Sequence, residues 1–109
     1  MLMPALELYR SRFKPSEQLT EPYAVAGINV IAADSDAEAK RLATTQQMSF
    51  ADLLSARRGL SKAPIDDIER YWSGQVKAQA MHMLKYSVVG SVATVRSGLE
   101  GFVAETGVD

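Results

Sequence analysis

Cysteine is absent from this 109-residue chain, which removes disulfides, thiolate metal sites and cysteine nucleophiles together. Histidine is nearly absent: His82 stands alone, so no second imidazole lies at ligand spacing from it. Neither sign of charge dominates. Twelve basic residues against thirteen acidic ones leave a net charge of −1, which gives no electrostatic footprint for nucleic acid or an anionic membrane surface. Long hydrophobic runs are missing too, since no segment approaches the roughly 18–20 apolar residues of a membrane-spanning helix. The amino terminus reaches Glu7 without a basic region and does not read as a signal peptide. A cytoplasmic protein is the expectation. No internal repeat or low-complexity tract is visible, and the 47% hydrophobic content suffices for one domain over residues 1–109.

The chain is organised around Pro22 to Glu38. Tyr23 to Ala33 is an almost unbroken apolar run rich in Val and Ile, the pattern of a strand buried on both faces. It stops at Asp34. Ser35 and Glu38 then form a capping-box pair, with Asp34 and Asp36 adding negative charge at a helix start. No other stretch reads as a comparable strand, and each unpaired buried backbone group costs about 1–3 kcal/mol. Partner strands are therefore expected from another copy, another chain or a missing part of the protein. The fold class that follows is mainly α with one buried strand.

Taken in order, Pro4 to Phe13 reads as a helix with Leu2, Ala5, Leu6, Leu8, Tyr9 and Phe13 clustered at helical spacing. Ser16 to Leu19 is placed to add one helical turn. A helix from Ser35 to Arg58 presents Ala39, Leu42, Ala43, Gln46, Phe50, Leu53 and Leu54 on one side. Arg57 and Arg58 complement its dipole, Gly59 suits a left-handed cap, and Thr44, Thr45 and Ser49 weaken its middle. Beyond the Gly59–Pro64 loop, Pro64 opens a turn through Ile68 to Trp72, and Ser73 caps a helix over 75–86 with Val76, Ala80, Met83 and Leu84 inward. Tyr86 to Val89 reads as a connector. Ser91 caps a last helix over 91–106 that carries Val95, Leu99, Phe102 and Val103 and stops at Gly107.

No catalytic constellation emerges. His82, between Met81 and Met83, reads as an ordinary histidine. Asp66, Asp67 and Glu69 read as dipole-favouring charges at a helix start rather than as a cation site. Gly90-Ser91 could hold a phosphate on helix N–H groups, although the same residues make an ordinary turn and cap. Tyr71-Trp72 reads as core before ligand contact. Lys40, Arg41, Arg57 and Arg58 make a solvated face, and Ser97 with Gly101 offers a small-residue strip for close helix packing.

Four motifs in order carry a resemblance. Glu21 to Leu42, Pro64 to Ser73, Ser87-Val-Val-Gly-Ser91 and Val95 to Glu100 with Glu105-Thr-Gly107 look like the C-terminal third of a luciferase-like, flavin-dependent monooxygenase. The resemblance covers nearly the whole chain. It implies a fragment of a (β/α)₈ TIM barrel, a fold of roughly 250 residues when complete, from an oxidoreductase family that uses reduced FMN and oxygen. The early strands and most flavin contacts of that family have no counterpart here, so the resemblance implies no catalytic, cofactor-binding or metal residue, no flavin bound by this chain alone and no activity alone. Completion by a companion chain or by a homodimer pairing the Tyr23–Ala33 strand is the corresponding expectation, with a non-catalytic helical oligomer as the alternative. Where the family has Gly-Ser-Pro-Glu at its last helix, this chain has Gly90-Ser91-Val92-Ala93. The missing proline and glutamate cost that helix about 0.5–1 kcal/mol.

Overall fold

A computed structural model describes residues 1–57 and 59–109. Their elements are α1 (Leu2–Arg12), β1 (Asn29–Ala33), α2 (Asp36–Leu54), a 3-10 turn (Ile68–Arg70), α3 (Gly74–Met83), β2 (Ser87–Ser91) and α4 (Val92–Thr106). Contacts gather them into two compact units, one of Met1–Gly27 with Leu99–Asp109 and one of Ile28–Gly98.

In the larger unit the strand partner comes from inside the chain. β1 pairs in parallel with β2, from Asn29 opposite Ser87 to Ala33 opposite Ser91. This corrects the expectation of a single strand and of a mere connector at Tyr86–Val89. The segment Ser87–Ser91 carries only Val88 and Val89 as β-branched residues, so its strand character comes from pairing with β1 rather than from local propensity. Two further corrections concern β1. It spans five residues rather than eleven, and it is not buried on both faces: Val30 is 42% exposed, while Ile31 and Ala33 are half-buried. Among the described residues no third strand joins, so each strand keeps one edge without a ladder partner.

α2 starts as its sequence dictates, with Ser35 Oγ accepting the Glu38 N–H at 3.2 Å. Its inward face is turned from the expected one. Ala39 and Ala43 are buried as anticipated, joined by Thr44, Met48 and Ala51, whereas Leu42 and Leu53 are exposed. Both threonines bind the loop that returns along the helix, for Thr44 Oγ1 accepts the Ile65 N–H at 2.9 Å and Thr45 Oγ1 donates to the Lys62 carbonyl at 2.9 Å. Side chains that weaken a helix by seeking backbone partners here pin a neighbouring segment.

The helix closes four residues before the expected end. Arg57 N–H donates to the Asp52 carbonyl (2.8 Å) and Ala56 N–H to Leu53 (3.3 Å), the paired bonds of a Schellman motif. The left-handed position falls on Ala56 (φ +56°), not on Gly59. Arg58, placed by the sequence at the same helix end, lies outside the described residues.

The core of this unit sets Ala51, Trp72 and Ala80 together, with Phe50, Leu54, Ile68, Tyr71 and Val76 packed around them. Two alanines leave room for one indole. Ser73 Oγ caps α3 by accepting the Val76 N–H at 3.3 Å, and the helix ends at Met83 rather than Tyr86, leaving Met83 exposed. The first turns of α4 pack on β2 at Gly98, where an added Cβ would lie 2.6 Å from Val88 Cγ1. Gly101 has nothing near it and Ser97 is exposed, so the expected small-residue strip for helix packing is instead a single glycine against a strand.

In the smaller unit Leu6 is the buried residue of α1. Arg10 donates from its guanidinium to the carbonyls of Thr106 (2.8 Å) and Gly107 (2.9 Å), a cation on the negative end of α4. Gly107 takes φ +62° and ends the helix as expected. Ser16 to Leu19 forms no helical turn. Ser16 Oγ gathers the Gln18 and Leu19 N–H groups instead. The apolar run ahead of β1 is held by the chain end, since Ala24 N–H donates to the Asp109 carboxylate and Ala24 carbonyl accepts the Asp109 N–H, each at 2.9 Å. Those bonds give Ala24 partners without a sheet, and the strand begins only at Asn29.

Candidate functional site

Two places in the larger unit carry clustered polar chemistry. The first lies at the carboxyl ends of the two parallel strands, where β1 turns into α2 and β2 into α4. Asp36 Oδ1 accepts the Ser91 N–H at 2.6 Å and the Thr94 hydroxyl at 2.9 Å. Ser91 Oγ in turn accepts the Thr94 N–H at 3.4 Å. The Asp36 carboxyl is held below its ordinary value chiefly by the Ser91 N–H, then by the Thr94 hydroxyl, because both hydrogen bonds favour the charged form. Gly90 makes the approach possible, since a Cβ there would lie 2.5 Å from Thr94 Cγ2 and 2.8 Å from Asp36 Oδ1.

This arrangement decides between the two readings of Gly90-Ser91. The Ser91 N–H already meets a carboxylate from the same chain and the Thr94 N–H meets Ser91 Oγ, which makes the place a cap and a clasp and sets a negative charge against a phosphate. Asp36, in the sequence only a dipole-favouring charge, is the residue that links the two turns. Its partner is 55 residues away, and no local pattern announces such a pair.

The second place is a groove of about 650 Å³ lined by α2 (Ala37, Lys40, Arg41, Ala43, Thr44, Gln46 and Gln47), by Asp66 and Ile68, and by Met81, Leu84, Ser87 and Val89. Its wall is mostly apolar, with Ala43, Thr44 and Leu84 among the buried residues. Arg41 Nε donates to Asp66 Oδ1 at 2.8 Å at the rim. Ser87 Oγ is buried without a hydrogen-bond partner. Lys40 and Arg41, a solvated face by sequence, thus border a concavity together with Ser87, a connector residue by sequence. Helical spacing places 37, 40, 41, 44 and 47 along one stripe, but the opposite wall is visible only in three dimensions.

The remaining candidates separate. Asp66 pairs with Arg41, Asp67 with Arg70 (3.2 Å), and Glu69 with Lys77 (2.7 Å). Among the described residues no three His, Cys, Asp or Glu side chains converge as metal ligands. Asp67 Oδ1 also accepts the Glu69 N–H at 3.1 Å, so it caps the 3-10 turn. Trp72 is core. Tyr71 donates its hydroxyl to Asp52 Oδ1 at 2.6 Å, and Lys62 meets the other oxygen at 2.6 Å. That carboxyl is lowered first by Lys62 and then by Tyr71, while Lys62 is raised by Asp52. His82 is exposed on α3, away from the groove lining. No helix among the described residues is long and apolar enough to cross a membrane.

No protein-family model matches the chain, and no solved structure matches it. Whole-sequence relatives do. Luciferase-like monooxygenase of Escherichia coli (strain K12) is 42% identical over 109 residues, all of this chain and 32% of that protein. Two proteins of Bacillus subtilis (strain 168) are similar as well: uncharacterized protein YvbT, 41% identical over 107 residues, 98% of this chain and 32% of its own length, and uncharacterized protein YddN, 33% identical over 99 residues, 90% and 29%. The chain spans about a third of the length of these relatives. In sequence, then, it is a relative of luciferase-like monooxygenase along its whole length, as its ordered motifs implied.

Proposed function

We propose that this chain is the C-terminal portion of a luciferase-like, FMN-dependent monooxygenase: a single cytoplasmic domain that supplies strands and helices of a TIM barrel and has no activity by itself. The observation that carries this reading is the match of the entire chain to one third of a relative named luciferase-like monooxygenase. A parallel strand pair with one open edge on each strand supports completion by a companion polypeptide, because parallel sheets are stable when extended and covered. At the strand ends Asp36 places a carboxylate on the Ser91 N–H just ahead of α4, a negative charge that disfavours a flavin phosphate there. Flavin contacts are therefore assigned to the companion.

The same open edges favour a second reading, a non-catalytic homodimer in which β1 of two copies meets. Both are tested together. The purified chain is mixed with FMN, NADH and a flavin reductase, with and without the part of the E. coli relative that this chain does not match. Quenching of FMN fluorescence before NADH is added, and oxygen uptake above the background that the reductase and free FMN give without either polypeptide, seen only in the mixture, support the enzyme reading. Turnover by the chain alone overturns the claim of inactivity, and a dimer that ignores the added polypeptide supports the second reading.

A further inference from the structure

We propose that the groove between α2, α3 and β2 is a binding site for a small amphipathic carboxylate. Its size lies within the range of about 300–1,000 Å³ for small-molecule sites, and a mostly apolar wall with a few placed polar groups is their usual make-up. Ala43, Ile68, Met81, Leu84 and Val89 offer the apolar body its surface. The polar groups specify the head. Ser87 lines the groove, but its unpartnered Oγ is buried and out of a ligand's reach in this structure, so the head is left to the cations at the rim. Val88, its neighbour, meets α4 at Gly98, and strand alternation turns Ser87 and Val89 to the other face, where they line the groove.

Charge sets the valence of the ligand. Arg41 is already engaged by Asp66, and Lys40 forms no ion pair among the described residues. Asp36, the nearest acid along the same helix face, is hydrogen-bonded to Ser91 and Thr94 and has only a minor charge interaction with Lys40. One ammonium without a close ion-pair partner matches a single carboxylate better than a phosphate dianion. The gain is modest because the cation is at the rim. An exposed ion pair in the upper part of its usual range contributes about 0.4–1 kcal/mol, a factor of roughly two to five in affinity.

The test uses the intact chain and a matched pair of probes, 4-phenylbutyrate and the neutral 4-phenylbutanol, followed by amide chemical-shift mapping and calorimetry. Phenylbutyrate is expected to shift residues 37–47 and 81–89 and to bind about two- to fivefold more tightly than the alcohol. Lys40→Gln should erase that difference while leaving alcohol binding intact. Met81→Trp, at an exposed rim position, should weaken both probes by filling the groove without loss of the folded spectrum. Shifts confined to other exposed apolar positions such as Val25, Leu53 or Leu60 would overturn the site. Equal binding of the two probes, unchanged in Lys40→Gln, would overturn the carboxylate assignment. Neither readout involves flavin, so the result is independent of the monooxygenase reading.

Discussion

At the residue scale, single atoms with opposed demands give the sharpest predictions. Ala56 occupies a left-handed conformation at φ +56°, which costs an L-residue about 1–2 kcal/mol and glycine almost nothing. Ala56→Gly should therefore stabilise the chain by about 1 kcal/mol, offset in part by the greater freedom of glycine when unfolded. Chemical denaturation measures it, and a lowered midpoint would show the cap to be different. Asp36 makes a pH prediction. Its folded carboxyl titrates below the ordinary value of 3.8 because of Ser91 and Thr94, so its contribution is present above that value and is lost as pH falls through the lower folded pKa. Asp52 and Glu69 are lowered as well, by Lys62 and Lys77 first. The Asp36 share is thus read as the difference between the native chain and Asp36→Asn, whose amide oxygen keeps an acceptor but not the titration. The stability gap between them should narrow below about pH 4 and stay constant above pH 6.

At the element scale, three glycines of similar appearance have different consequences. Gly90 is enclosed on two sides by Thr94 and Asp36, so Gly90→Ala should cost about 1–3 kcal/mol through overpacking and loosen the clasp between α2 and α4. Gly98 meets a single side chain, the β-branched Val88. There the helix-propensity gain of about 1 kcal/mol from alanine competes with the overpacking cost, so Gly98→Ala should be mildly destabilising in the native background and stabilising in a Val88→Ala background. A double-mutant cycle by thermal unfolding checks the sign change. Gly101, mid-helix in open space, should simply gain about 0.8–1 kcal/mol on change to alanine. Equal losses at 98 and 101 would contradict the packing described.

At the scale of the whole molecule, the unpaired edges of β1 and β2 and the exposed Val30 describe a sheet poised for extension. In the absence of a companion the native chain is expected to self-associate at micromolar concentration, and Val30→Lys should shift sedimentation toward the monomer with little change in thermal midpoint, since an edge charge blocks pairing without entering the core. A native chain that is already monomeric would show the edges to be tolerated as they stand.

Local chemistry was legible in the sequence. The Ser35 and Ser73 caps, the stop at Gly107 and the approximate place of every long helix depend on residues within a few positions of one another, so spacing alone determines them. The family relationship was legible for a related reason, because ordered motifs survive at 42% identity. What tertiary structure decided was everything that joins distant segments. β2 is a strand because β1 lies beside it, not because Ser87–Ser91 favours extension. Which side of α2 turns inward was settled by Trp72 and the loop bonds to Thr44 and Thr45, and Leu42 and Leu53 were left outside. Asp36 became a clasp, and Lys40 with Ser87 came to share a groove, only once residues about 50 positions apart met. Periodicity reports which residues can share a face; the identity of the facing surface is set by packing, to which all segments contribute at once.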